Sequence, residues 1–170
     1  MQKTRKKNKK ASVLLPVLAV CFVLALAGMV VALCRPGEQA PFSPPPFEPA
    51  AVQGKPEVPE GLGYSSPYKE GMSYRFSVCG NVTMEGTGAV VYLTNPAGNA
   101  VWLKVRVLDA EGNLLGESGL LRPGEYVRTV TLERSPAPGT RIKLKVMGYM
   151  PETYRSAGTL VLNTAIGTAE

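Results

Sequence analysis

Two hydrophobic patterns divide this chain. From Val13 to Cys34 it reads VLLPVLAVCFVLALAGMVVALC, 22 residues without a charged side chain. As helix, at about 1.5 Å per residue, that run covers roughly 33 Å, the thickness of a bilayer's hydrocarbon core, so it predicts one transmembrane helix over 13–34. From Tyr68 to Glu170 the apolar positions come instead in short runs rich in Val, Leu, Thr and aromatic residues, separated by Gly, Pro, Asn and Asp clusters. These runs predict antiparallel strands near 73–79, 88–94, 101–108, 114–118, 126–132, 140–148 and 158–165, an all-β sandwich of two packed sheets.

Turn chemistry supports the gaps between strands. Asn95–Asn99, Asp109–Asn113 and Arg122-Pro123-Gly124-Glu125 carry the residue types that tolerate turn conformations. Residues 35–67 hold nine of the fifteen prolines, including Pro44-Pro45-Pro46. Such composition buries no core and favours extended polyproline II, which predicts a linker reaching up to about 100 Å at roughly 3.1 Å per residue. The expected organisation is a basic tail over 1–12, a transmembrane helix over 13–34, a Pro-rich extracellular linker over 35–67 and a β-sandwich domain over 68–170.

Two strands alternate most cleanly. Val101, Leu103, Val105 and Val107 face one way and Trp102, Lys104 and Arg106 the other; Ile142, Leu144 and Val146 oppose Arg141, Lys143 and Lys145. In a seven-stranded immunoglobulin-like sandwich the third and sixth strands are neighbours, so their outward faces merge. The expected binding site is therefore Trp102, Lys104, Arg106, Arg141, Lys143 and Lys145. Such a basic patch suits an anionic partner, such as an envelope polymer, an acidic protein or nucleic acid, with Trp102 as apolar anchor. A plainer reading makes the same residues a wet sheet face, where cationic stems cover the Trp and nearby acids neutralise the charges.

Charge fixes the expected orientation. Nineteen Lys and Arg against thirteen Asp and Glu give +6, and residues 1–10 alone supply six of the cations. Positive charge stays on the cytoplasmic side, so the chain is expected to cross the cell membrane once with its N-terminus in the cytoplasm and its C-terminal domain extracellular. That location argues against nucleic acid as partner. Ala25-Leu26-Ala27 forms an A-x-A cleavage pattern, and Val31-Ala32-Leu33-Cys34 resembles a lipobox. Cleavage would expose the apolar stretch Gly28–Cys34, and Leu33 stands where a lipobox has a small residue, so both favour a permanent anchor.

No His and a single Asp, Asp109, exclude His-based triads, His–zinc sites and most acid/base dyads. No catalytic residue, metal ligand or cofactor site is expected. Ser66-Pro67-Tyr68-Lys69 fits the S-x-x-K nucleophile motif of penicillin-binding proteins, but its companion S-D-N and K-T-G elements are absent. Asn81-Val82-Thr83 fits the glycosylation sequon. Cys79 is the one cysteine beyond the apolar run, so a buried thiol is expected rather than a disulfide within the domain.

The run from Asn113 to Glu125, ending in Leu121-Arg122-Pro123-Gly124-Glu125 and followed by the alternating Tyr126–Leu132, resembles the strand, L-x-P-G-E turn and strand of bacterial immunoglobulin-like or fibronectin-like surface domains. The plan of basic tail, single anchor, Pro-rich spacer and small β domain also resembles membrane-anchored proteins of Firmicutes. This resemblance implies an immunoglobulin-like sandwich at the cell surface and brings no catalytic residue with it. The expected function is a non-catalytic module that binds an envelope or partner component. The alternative is a structural subunit of a cell-envelope or DNA-transfer assembly.

Overall fold

The computed structural model describes residues 9–34, 42–67 and 72–168. The chain divides into two compact units, Met1–Ser43 and Pro44–Glu170. In the first, a single helix, α1, runs Lys9–Cys34, 26 residues with Pro16 inside it. Among the described residues no helix is long and apolar enough to cross a membrane. The helix includes the whole uncharged run Val13–Cys34. Most of the basic tail, residues 1–8, lies outside the described residues.

The second unit is built from ten strands: β1 (Val52–Gln53), β2 (Tyr64–Ser65), β3 (Val78–Cys79), β4 (Thr83–Glu85), β5 (Gly88–Thr94), β6 (Trp102–Asp109), β7 (Leu114–Glu117), β8 (Glu125–Thr131), β9 (Arg141–Tyr149) and β10 (Ser156–Ala165). One sheet has the order β1-β8-β5-β4, another β10-β9-β6-β7, and β2 pairs with β3. The named strands all pair antiparallel. Each of the seven expected runs contains a strand, the first only at its end, as β3. The count is ten rather than seven because β1, β2 and β4 are two or three residues long and leave no alternation to read.

The two four-stranded sheets enclose one core. Ala89, Val91 and Leu93 of β5 and Val127 and Val130 of β8 meet Leu103, Val105 and Val107 of β6 and Ile142, Leu144 and Val146 of β9. Period-two alternation turns these apolar sets inward, and β6 and β9 are neighbours as expected, with Trp102 opposite Tyr149 and Arg106 opposite Lys145. The turn at Arg122–Glu125 also forms as expected. Glu125 N–H donates to Arg122 O at 3.1 Å, and Gly124 takes φ 85°, the left-handed value a type II turn requires after proline.

Residues 44–67, expected as linker, instead belong to the sandwich unit. Glu48 N–H donates to Leu120 O at 3.0 Å and Leu120 N–H to Pro46 O at 2.9 Å, joining Phe47 and Leu120 in a parallel bridge. Further on, β1 extends the first sheet along β8, with Val52 opposite Tyr126. Val58, Leu62 and Tyr64 then pack over Cys79, Val90 and Tyr92, so β5 is buried on both faces. Prolines cannot donate to a ladder, but the residues between them can pair along a sheet edge, and the interspersed apolar side chains gain by leaving water. This strap places the start of the folded unit at Pro44 rather than Tyr68.

Candidate functional site

The six expected site residues lie on the face of the β10-β9-β6-β7 sheet turned away from the core, and local contacts divide them into three groups. Trp102, at the start of β6, is half-buried in an aromatic cluster. The Phe47 ring meets it nearly edge-on, with centroids 4.9 Å apart and planes at 77°, and the Tyr154 ring lies 5.3 Å away. The Arg122 guanidinium sits 3.7 Å from the Phe47 ring centroid. Trp102 therefore fastens the strap and the loop before β10 to the sheet, and does not stand alone among cations.

Lys104 and Arg106 share one acid. Lys104 is only 4% exposed, and its Nζ lies 2.7 Å from Glu117 Oε1; Arg106 Nε donates to Glu117 Oε2 at 2.8 Å. Antiparallel pairing of β6 with β7 sets Glu117 opposite Arg106, which puts both side chains on one face. Burial pushes the Glu117 carboxyl up, but the hydrogen bonds and charges of Lys104 and Arg106 outweigh it and hold the group below the usual carboxylate range. At these two positions the plainer sequence reading holds: an acid on the neighbouring strand neutralises the cations.

Arg141, Lys143 and Lys145 occupy alternate positions of β9, about 6.6 Å apart along the strand. Lys143 Nζ donates to Ala110 O at 2.6 Å. The exposed Arg141 and the half-buried Lys145 make no side-chain hydrogen bond or ion pair among the described residues. Opposite them on β10 stand Ala165, Asn163 and Val161, none of them acidic, and Val161 is 44% exposed. An open cleft of about 560 Å³ lies over Arg141 and Lys143.

Phe47, Tyr154 and Glu117 complete this face and were not found from sequence. Phe47 sits in the Pro-rich segment and Tyr154 in a loop, with no periodicity to mark either; Glu117 falls in an expected strand, but only register brings it to Arg106.

Asp109, Ser66 and Asn81 are held by hydrogen bonds, and Cys79 by burial. Asp109 accepts from Asn113 N–H at 2.8 Å and Asn113 Nδ2 at 2.9 Å, and the Asn113 side chain holds its carboxyl below the usual range. Ser66 Oγ hydrogen-bonds with Ser77 Oγ, while Lys69 of the S-x-x-K motif lies outside the described residues. Asn81 Nδ2 donates to Gly61 O at 3.2 Å. Cys79 is fully buried, and burial pushes its thiol up to about 11. Among the described residues no group of three or more His, Cys, Asp or Glu side chains could hold a metal ion. In comparisons with known proteins, no family model, no curated protein and no solved structure matches this chain.

Proposed function

We propose that this chain is a non-catalytic, membrane-anchored module whose immunoglobulin-like sandwich docks an anionic component of the cell envelope or of a partner cell. The observation that carries the reading is the row Arg141, Lys143, Lys145, whose two end members have no hydrogen-bond or ion-pair partner among the described residues. Between residues 44 and 170 cations and acids balance at twelve each, so this row is a local excess rather than a sign of a basic domain. Solvent-facing cations in a row attract a polyanion without base-specific or catalytic contacts. The sheet orders support the immunoglobulin-like reading: of the seven longer or expected strands, β8 and β5 pair in one sheet, and β10, β9 and β6 are successive neighbours in the other.

For the anchor, the support is the 22-residue uncharged run inside α1, preceded by the basic tail. Protease added to whole cells then cuts within residues 44–170 and spares the tail; a C-terminal portion protected until the membrane is opened refutes the orientation. For the docking face, the full chain in detergent micelles is passed over immobilised linear polyphosphate. Replacing Arg141, Lys143 and Lys145 together by Gln abolishes capture and leaves thermal unfolding in place. Unaltered capture removes the row from consideration.

The structural-subunit reading has its own support in β10, a ten-residue strand at the sheet's end with Val161 exposed on it. Edges of that kind pair with other chains. Crosslinking in cells from a photoreactive residue at position 161 separates the two: a single protein neighbour favours the assembly, a glycopolymer the binding module.

A further inference from the structure

A cleft at one end of the sandwich, distinct from the β9 row, lies where the strap closes over the sheets. It encloses about 450 Å³, within the range of small-molecule sites, and its walls come from both parts: Lys55, Tyr64 and Ser66 from the strap, Ser77 from just before β3 and Thr94 from the end of β5. Tyr64 Oη and Thr94 Oγ1 lie 2.7 Å apart, Thr94 Oγ1 donates to Tyr92 O at 3.2 Å, and Ser66 and Ser77 hydrogen-bond to each other.

These bonds decide what the cleft can offer. Thr94 gives its proton to Tyr92 O, so Tyr64 donates to Thr94 and keeps its own lone pairs free; the two serines use one proton between them and retain one. Four hydroxyls therefore present mostly acceptors, which suit a ligand rich in O–H donors. Among the described residues Lys55 is exposed, makes no ion pair or hydrogen bond, and is the one charged side chain on the lining. Pro96 and Ala97 add a small apolar wall suited to the C–H face of a ring. The geometry points to a binding site for an acidic monosaccharide unit, a polyhydroxylated ring with one carboxylate, whose hydroxyls meet Tyr64, Ser66, Ser77 and Thr94 and whose carboxylate meets Lys55.

The probe is sodium glucuronate, with glucose as the neutral control, titrated calorimetrically into the full chain in detergent micelles. Glucuronate binds at least about tenfold more tightly than glucose, a margin of about 1.4 kcal/mol. Lys55→Gln brings glucuronate down to the level of glucose, and Tyr64→Phe weakens both sugars alike. Because the ligand joins strap and sheets, glucuronate also raises the unfolding temperature of the parent, and less so that of Lys55→Gln. Absence of heat and of any thermal shift with glucuronate, or equal affinity in Lys55→Gln, overturns the site. The β9 cations take no part in it, so the Arg141/Lys143/Lys145 triple variant binds glucuronate normally; loss there would also overturn the assignment.

Discussion

Gly119 lies against the backbone of Glu48 so closely that a Cβ at position 119 would sit 2.5 Å from Glu48 N, and the Gly119 N–H donates to Glu48 Oε2 at 2.6 Å. The second carboxylate oxygen, Oε1, accepts from Ala50 N–H at 3.0 Å. One side chain thus turns the strap and ties it to the segment following β7. Phe47, next in the chain to Glu48, packs on Trp102, and β1 follows along the β8 edge.

Gly119→Ala is therefore expected to lift the strap and destabilise the sandwich by about 2 kcal/mol, as overpacking against backbone does. Thermal unfolding of the full chain in micelles measures it. Phe47→Ala added to Gly119→Ala costs much less than Phe47→Ala alone, because the contact it removes is already lost. Full additivity of the two would show that the strap docks independently of Gly119.

Glu117→Gln leaves the buried Lys104 ammonium without its anion. A loss of about 1–3 kcal/mol at neutral pH is expected, the cost of an unsatisfied buried group. The carboxyl is depressed in the folded state, so its stabilisation is fully present above the unfolded-state pKa and disappears as pH falls through the folded value. Denaturation curves between neutral and acid pH should accordingly lose less stability on acidification in Glu117→Gln than in the parent. Parallel curves would contradict the sharing of Glu117 by Lys104 and Arg106.

Trp102→Ala and the triple β9 variant should differ in kind. The first removes a ring packed between Phe47 and Tyr154 and lowers stability by about 2–3 kcal/mol. The second alters exposed or half-exposed cations on the sheet face and changes stability by less than about 0.5 kcal/mol. Measuring unfolding and polyanion capture on both proteins checks the division. A Trp102→Ala protein of parental stability that fails to capture would restore the tryptophan to the docking face.

Cys79 should resist alkylation. Its thiol is fully buried and pushed up to about 11, so little thiolate exists at pH 8 and no reagent reaches it. Mass spectrometry after iodoacetamide is expected to find Cys79 modified only once the sandwich is unfolded. Rapid labelling of the native protein would mean that the strap residues over it open readily.

The amino-acid sequence by itself determined the uncharged run of α1, the β class of the second unit and the inward faces of β6 and β9. Each depends on a local property: continuous hydrophobicity, or apolar side chains at every second position, which a strand must turn to one side. The Pro-Gly turn at 123–124 was legible for the same reason, since allowed backbone angles follow from the residues themselves.

Tertiary structure decided what those faces do. Whether a cation is free or paired depends on strand register, and it was register that gave Lys104 and Arg106 to Glu117 while setting Arg141 and Lys145 opposite Ala165 and Val161. The Pro-rich segment reads as spacer because its composition builds no ladder of its own, yet the edges of β8 and the 118–121 segment supplied the missing partners. The burial of Cys79 and the half-burial of Phe47 and Tyr64 depend on surfaces formed by residues far along the chain, such as Trp102 and Arg122 for Phe47, and no local pattern encodes such a meeting.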